Sequence, residues 1–499
     1  MQNGLQSSHP LYVQMMPIWV QMRDTYKGER QVKSKSQLYL PPTTAHIQDG
    51  WPIAEELGAK AYESYRMRAR YHNFVREAVQ MAVGMMHNQP PKIELPEAMQ
   101  NIRSSKNESL PDFLRRINSE QLIAGRVGVM ADLPLVRGDG PDQPILSTYS
   151  AERIQNWDSG ATELTMDQLN MVILDETTHL RKDNFMWDLQ TQHRVLVLGD
   201  PDENNPFGVY RQGLFKDSAF VESQLITPSY KGRTLTKIPF VIVNAVDLVT
   251  DPDEPVLLDL SNLCLTLYRG DADYRQNLFM QGQDTFVTTG ANIDEDEKVR
   301  LGAGARLDLP MGGTAEYVGV TSQGLKEQRE SLDRLESRAG TMGAQTLDST
   351  SRERESGDSM RIRVASRTAD LNQIAETGAM ALQDILKTCA EWMGENPDEV
   401  SVTANKEFGE MPLTGQTMVE MATARTLGFP LTAKSMHSLA RKRHMTDMTY
   451  EEELAQAKLE QEEDFAFKVP EKPDMAGADQ NGPGDDTQQQ QSPRSAAGA

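Results

Sequence analysis

Cysteine is nearly missing from this chain of 499 residues: Cys264 and Cys389 are the only two. They lie far apart, each on an apolar helical stripe. That reads as two packed core residues rather than a disulfide, and it points to folding in a reducing cytoplasm. No stretch approaches the ~20 apolar residues of a membrane span, so no membrane partner is expected. The opening MQNGLQSSHP has neither a basic start nor an apolar core, so no secretory leader is expected. Positive charge is in deficit. Lys and Arg number 51 against 73 Asp and Glu, a formal net charge of −22. A free, sequence-reading DNA binder is normally basic, so that role is disfavoured. Catalytic signatures are missing as well. No glycine-rich phosphate loop ends in Lys-Ser or Lys-Thr. No His-x-x-His or His-x-x-x-His pair offers metal ligands, and no Gly-x-Ser-x-Gly elbow offers a nucleophile. Neither an enzyme activity nor a cofactor or metal is expected. No repeat of fixed period is present.

What is there is helical. The length admits three or four domain-sized units. A composition of 38% hydrophobic and 25% charged residues fits a soluble protein with much solvated surface. Apolar residues recur at three- and four-residue steps through Leu325, Leu332, Leu335, Ala339 and Met342. They recur again through Leu371, Ile374, Gly378, Leu382, Ile385, Cys389 and Trp392. Each set lies on one stripe of a helix. Residues 260–280 also read as helix, and 282–319 as short strands and turns. Small residues such as Gly340, Gly343 and Gly378 allow close helix packing. Long helices carrying a small β insert, without active-site chemistry, point to a mechanical or assembly part.

Upstream, residues 1–50 read as polar and irregular, closed by Pro41-Pro42. Residues 51–87 read as helical, with Phe74, Val75, Ala78, Val79, Ala82, Met85 and Met86 on the apolar face and Pro90-Pro91 beyond. A further helix is expected from Asp112 as N-cap, carrying Phe113, Leu114 and Ile117. The period then changes. VGVMADLP (127–134), MVILDE (171–176), RVLVLGD (194–200), FGVYRQGLF (207–215) and IPFVIVNA (238–245) read as strands of a mixed α/β region over roughly 90–255. They follow one another mostly without helices between them, which favours an antiparallel meander over a doubly wound parallel sheet. Shorter helices are expected at 413–427, 432–444 and 450–464. From Val469 the composition turns to Pro, Gly, Asp and Gln, too poor in apolar residues to fold alone. The fold class is therefore α+β, mainly helical.

Four features invite a functional reading. MVILDE ends in Asp175-Glu176 and imitates a strand that presents two acids to magnesium, but the phosphate loop such a motor needs is missing. A strand leaving a core into a polar turn explains it better. Gly302, Gly304, Gly312 and Gly313 lack the spacing and βαβ context of a nucleotide-binding turn and read as turns in the β insert. His437 and His444 share a helix face without a set of ligand-spaced partners. The arginines of TSRERESGDSMRIRVASR (350–367), namely Arg352, Arg354, Arg361, Arg363 and Arg367, lie between two long helices. They read either as a solvated connector or as a loop touching phosphates, where a permanent charge carries no sequence information. Lys434, Arg441, Lys442 and Arg443 form a second basic cluster of the same kind.

Several phrases in a fixed order resemble the portal proteins of tailed bacteriophages. They are GRVGVMADLP (125–134), YSAERIQNW (149–157), KIPFVIVNA (237–245), LYRGDADYRQNLFMQGQDTFVTTG (267–290), GAGARLDLP (302–310), AEYVGVTSQGL (315–325) and ALQDILKTCAEWMG (381–394). The resemblance covers roughly 50–460. It implies a homo-oligomeric ring, usually of twelve subunits, at one vertex of a viral head. Double-stranded DNA passes non-specifically through its hole. The terminase large subunit, a head–tail adaptor and the major capsid protein are the implied partners. The implied architecture is an N-terminal arm (1–50), a wing (51–258), a first stem helix (259–282), a clip with a β segment (283–320) and a second stem helix (321–345). A channel loop and long wing helix (346–409), a helical crown (410–467) and a disordered tail (468–499) follow. The five arginines would then be the channel contacts. Twelve copies would carry roughly −264 in total, a field that discourages tight phosphate binding. The competing expectations are a minor capsid or scaffold-like protein without a channel, or a packaging ATPase.

Overall fold

The computed structural model describes residues 4–134, 143–160, 168–199, 208–216, 220–281, 285–289, 309, 311–318, 323–345, 357–406, 423, 432–442 and 448–467. The chain divides into two compact units, Met1–Glu410 and Met411–Ala499. The architecture is mainly helical α+β, as the sequence leads one to expect.

Residues 1–50 are not irregular. They form α1 (Pro10–Lys27), α2 (Glu29–Ser34) and α3 (Thr44–Gln48). Pro10 sits in the first turn of α1, where a missing N–H removes no helical hydrogen bond, and the His9 side chain accepts from Leu11 N–H. Trp19 and Met22 of α1 are fully buried. Gly28, at φ 93°, ends α1 in a conformation that L side chains rarely adopt. Next come α4 (Leu57–Arg68) and α5 (Phe74–Met86). Val75, Ala78, Val79, Ala82, Val83 and Met86 face inward on α5.

After β1 (Lys92–Glu94) and β2 (Arg103–Ser104) comes α6 (Leu110–Ala124). Its N-cap is Ser109, whose Oγ accepts from Asp112 N–H. Asp112 stands inside the first turn, where its carboxylate offsets the helix dipole; it is not the cap.

The next strands build two four-stranded sheets and a two-stranded arm, Thr178–Arg181 with Trp187–Gln190. In chain order they are β3 (Arg126–Asp132), β4 (Ile145–Ser150), β5 (Ile154–Asp158), β6 (Met171–Asp175), β7 (Thr178–Arg181), β8 (Trp187–Gln190), β9 (Gln192–Leu198), β10 (Tyr210–Lys216) and β11 (Phe240–Asn244). The first sheet has the order β11-β3-β4-β2; the second, β10-β9-β6-β5, is an all-antiparallel meander. The meander reading fits the second sheet but not β11, which pairs antiparallel with β3 in the first. Strand β3 is buried on both faces. Val127, Val129 and Ala131 join a core with α6 and the long helix Gly357–Met393, while Met130 joins a core with the second sheet. Gly128 lies under Phe240, and a Cβ there would overlap the phenyl ring.

The rest of the first unit is three long helices and a small hairpin. Helix α7 (Leu258–Gln281) leads to β12 (Thr285–Thr289), which pairs antiparallel with β13 (Thr314–Val318). Then come α8 (Gln323–Gln345), α9 (Gly357–Met393) and β14 (Ser401–Thr403), the last paired with β1. The apolar stripe of α9 is buried from Leu371 to Trp392. Gly378 lets α9 press on α6, since a Cβ there would meet Asn118 and Gln121. Gly340, by contrast, has open space around it. Cys264 and Cys389 are free and buried.

In the second unit the described helices are Ala433–Lys442 and Tyr450–Phe467. The helix expected at 413–427 lies outside the described residues apart from Thr423, as does the tail after 467.

Candidate nucleic-acid interface and the acidic strand end

Helices α7 and α8 run antiparallel. A Cβ on Gly270 would stand 3.0 Å from Leu332 Cδ2, and Asn277 Nδ2 donates to Gln328 Oε1 at 3.1 Å. At the other end, Leu260 faces Gly343. The pair is held at its base by α1: Thr25 Oγ1 and Ser261 Oγ are 3.0 Å apart, and Gln21 Nε2 donates to Asn262 Oδ1 at 2.7 Å. At the far end, Leu278, Phe279 and Met280 are exposed, with Arg68 stacked over the Phe279 ring. The β12–β13 hairpin lies between the far ends in the chain. A narrow cavity of about 210 Å³ opens along the pair, with Arg70, His72, Asp271, Arg275, Arg329 and Glu336 around it. Its cations are largely offset by acids. Arg275 Nε meets Asp271 Oδ2 at 2.7 Å, Arg329 Nη2 meets Asp333 at 2.7 Å, and His72 lies 3.8 Å from Glu336.

Of the five arginines singled out in the sequence, Arg352 and Arg354 lie outside the described residues. Arg361, Arg363 and Arg367 do not lie on a loop. They belong to the first turns of α9, with Arg363 and Arg367 one turn apart along the helix. In the second basic cluster, Lys434, Arg441 and Lys442 belong to the helix Ala433–Lys442, where Lys434 and Arg441 are exposed; Arg443 lies outside the described residues. On the same helix His437 Nε2 stands 2.6 Å from Glu453, and its ring packs edge-on against Tyr450. His444, Gly302 and Gly304 lie outside the described residues. Gly312 is in a turn at φ 93° just before β13.

The strand end with two acids has its own partners. Asp175 Oδ1 accepts from Thr177 N–H at 2.8 Å. Glu176 accepts from Arg194 Nε and Tyr149 OH, both at 2.6 Å. Arg194 Nη1 also reaches Asp132 Oδ2 at 2.8 Å and Gln212 Oε1 at 3.0 Å, and Gln212 Nε2 donates to Asp132 Oδ1 at 2.8 Å. The network ties β3, β4, β9 and β10 together. Burial pushes the Tyr149 phenol well above its ordinary range, and the Glu176 charge adds to this. Nothing in the sequence marks Arg194 as the partner of Glu176; only the β6–β9 pairing brings them together. Glu176 therefore serves as a structural anchor between the sheets, while Asp175 closes its own turn.

Among the described residues no group of three or more His, Cys, Asp or Glu side chains converges as a metal site. Burial pushes the Cys264 thiol up to about 11 and the Cys389 thiol up to about 12, so both are poor nucleophiles. No described helix is long and apolar enough to cross a membrane.

Residues 256–393 match a family model described as a domain of unknown function, DUF4055. The matched span takes in α7, the β12–β13 hairpin, α8 and α9, ending on the last residue of α9. No curated protein matches the chain. Two solved structures are similar at low score. One is described as the neck of native GTA particle computed with C12 symmetry, at 11% identity; the other as the virion of native gene transfer agent (GTA) particle, at 9%. Each covers 74% of this chain and 89% of the other, with a TM-score of 0.36, too low for the likeness to carry an argument. Neither the family description nor the two structures name an enzyme.

Proposed function

We propose that this chain is a portal-type subunit. Copies of it close into a ring, of twelve in the usual arrangement, and double-stranded DNA passes through the hole without sequence reading or chemistry. The observation that carries the reading is the antiparallel α7–α8 pair with a small β hairpin inserted between its far ends, followed by the long α9. That arrangement takes in the last four of the seven ordered phrases that resemble portal proteins. In this reading α7 and α8 are the stem, the hairpin is the clip and residues 51–258 are the wing. The start of α9 then lies at the channel, and the helices Ala433–Lys442 and Tyr450–Phe467 belong to the crown. The exposed Leu278, Phe279 and Met280 at the hairpin end offer an apolar surface for a head–tail adaptor or the terminase large subunit. The protein then resides at one capsid vertex of the virion, in contact with the major capsid protein, and in host cytoplasm during assembly.

The charge balance supports a conduit that does not grip. A net −22 per copy repels a polyanion, while exposed arginine–phosphate contacts contribute about 1 kcal/mol or less each. Two experiments test this. Antibody labelling of purified particles in the electron microscope is expected to mark a single vertex; label spread over the shell or confined to scaffold-filled heads would make the protein a capsid or scaffold component. Replacing Arg352, Arg354, Arg361 and Arg363 by Ser together is expected to leave heads assembled but change the amount of DNA packaged or retained. If rings fail to form, those arginines are structural.

A further inference from the structure

The β7–β8 arm is apolar at its tip, and among the described residues it is exposed throughout Thr178–Arg181 and from Trp187 to Leu189. It continues the β6–β9 pair without a register shift: Met171 faces Val197 and Asp175 faces His193 within the sheet, then Thr178 faces Gln190 and Arg181 faces Trp187 beyond it. Glu176 N–H donates to Gln192 O at 3.0 Å across the junction. Six residue steps from Asp175 to Arg181, at ~3.3 Å each, carry the tip on the order of 20 Å past the sheet. Lys182 N–H closes the turn onto Met186 O at 2.9 Å, and Lys182 Nζ meets Asp188 at 2.8 Å. Phe185 is 91% exposed and Trp187 64%, with Met186 and Leu189 also exposed. Two aromatics so placed offer on the order of 300 Å² of apolar surface. A two-stranded hairpin alone is marginally stable in water.

The same two strands carry a complementary hollow. On the face of the second sheet turned away from the shared core lies a cavity of about 420 Å³, walled by Leu5, Ile173, Val195, Leu198, Phe220 and Leu225. Arg211 and Glu222, 3.8 Å apart, also flank it. Arg181 and Asp183 flank the tip, so both surfaces combine an apolar centre with a charge of each sign. The arm leaves from the Asp175 end of β6 and runs away from the sheet, whereas the cavity reaches toward Met171 and Leu198 at the opposite end. The tip of an extended arm is therefore out of reach of its own cavity.

We propose that the arm of one copy seats Phe185 and Trp187 in the cavity of the next copy. The inference rests on the ring reading above and names the contact that closes the ring. A knob and a hollow at separate places on one chain make a head-to-tail contact, the kind that repeats and closes when the rotation permits. A stable interface removes about 800 Å² from each partner. The tip supplies a substantial share of one side, and each copy uses both its arm and its cavity.

Two variants of the full chain test it. With Phe185→Ser and Trp187→Ser combined, assembly is expected to stop at protomers whose melting temperature matches that of the wild-type protomer. Unchanged rings would overturn the proposal, and so would a variant that melts earlier as a protomer, since the tip would then belong to the subunit's own core. With Phe185→Cys and Leu225→Cys combined, oxidation is expected to give a ladder of covalent multimers on a non-reducing gel, absent from either single variant. A cross-link within one chain, or none, would overturn it. A wild-type chain that never assembles would sink the ring reading itself, a result distinct from rings that ignore the arm.

Discussion

One strand pair has two fates in this molecule. Within the second sheet, β6 and β9 bury Val172, Leu174 and Leu196 completely and hold Arg194 between Glu176 and Asp132. Beyond Asp175 the same ladder continues in the same register, yet every residue of β7 is exposed. Backbone pairing is equal in the two halves; what differs is the layer behind them. The inner half packs on the first sheet and on Trp392 of α9, and the outer half is almost wholly exposed among the described residues. Hydrogen bonds set a hairpin's register, but buried apolar area decides whether it is part of a core.

The largest break in this comparison is expected at Arg194. Arg194→Ala leaves two carboxylates between the sheets without their cation and should destabilise the subunit by about 3–5 kcal/mol, read by urea unfolding. Arg181→Ala on the arm should stay within about 0.5 kcal/mol. If both cost the same, the arm is not the separate region described. Next comes a matched pair of core and arm leucines. Leu196→Ala should cost about 2–5 kcal/mol through the cavity it leaves, and Leu189→Ala almost nothing in the isolated protomer. Below that, Ser109→Ala removes the cap of α6, which braces the first sheet, and should cost about 1 kcal/mol.

Acid should act on the embedded regions through histidine. The pKa values of His9, His46 and His87 are lowered, in each case chiefly by burial. The folded chain holds these rings neutral while the unfolded chain takes up protons once the pH falls through about 6.5. Stability that is fully present above that value is therefore lost as the pH drops through the lower folded values. Unfolding midpoints measured from pH 7.5 down to 5.5 should fall. A rise over that interval would contradict these burials.

How far the sequence speaks depends on whether a feature is local. The stripe from Leu371 to Trp392 was legible because helical spacing is local, and its residues form one buried row. Helix α1 is hard to read from sequence because it carries two prolines, Pro10 and Pro17. Pro10 stands in the first turn, and Pro17 lies on an exposed face where the helix runs on around it. The strands of the meander could be read from β-branched runs, but the pairing of β11 with β3 could not, because partner choice is non-local. Asp175-Glu176 imitated a metal-binding strand end for the same reason: Arg194 and Tyr149, which hold Glu176, are distant in the chain. The basic stretch 350–367 looked like a connector because its charge outweighs its periodicity, yet α9 begins at Gly357. The arm left only a faint trace, the run Phe185-Met186-Trp187 beside polar turn residues.

The central claim is that identical copies of this subunit surround a passing genome. Native mass spectrometry of the purified full-length chain tests it most directly. The account predicts one dominant closed species at a fixed whole-number multiple of 55.8 kDa, broken down by the paired Ser changes at Phe185 and Trp187. A protomer that stays single under every assembly condition would contradict it.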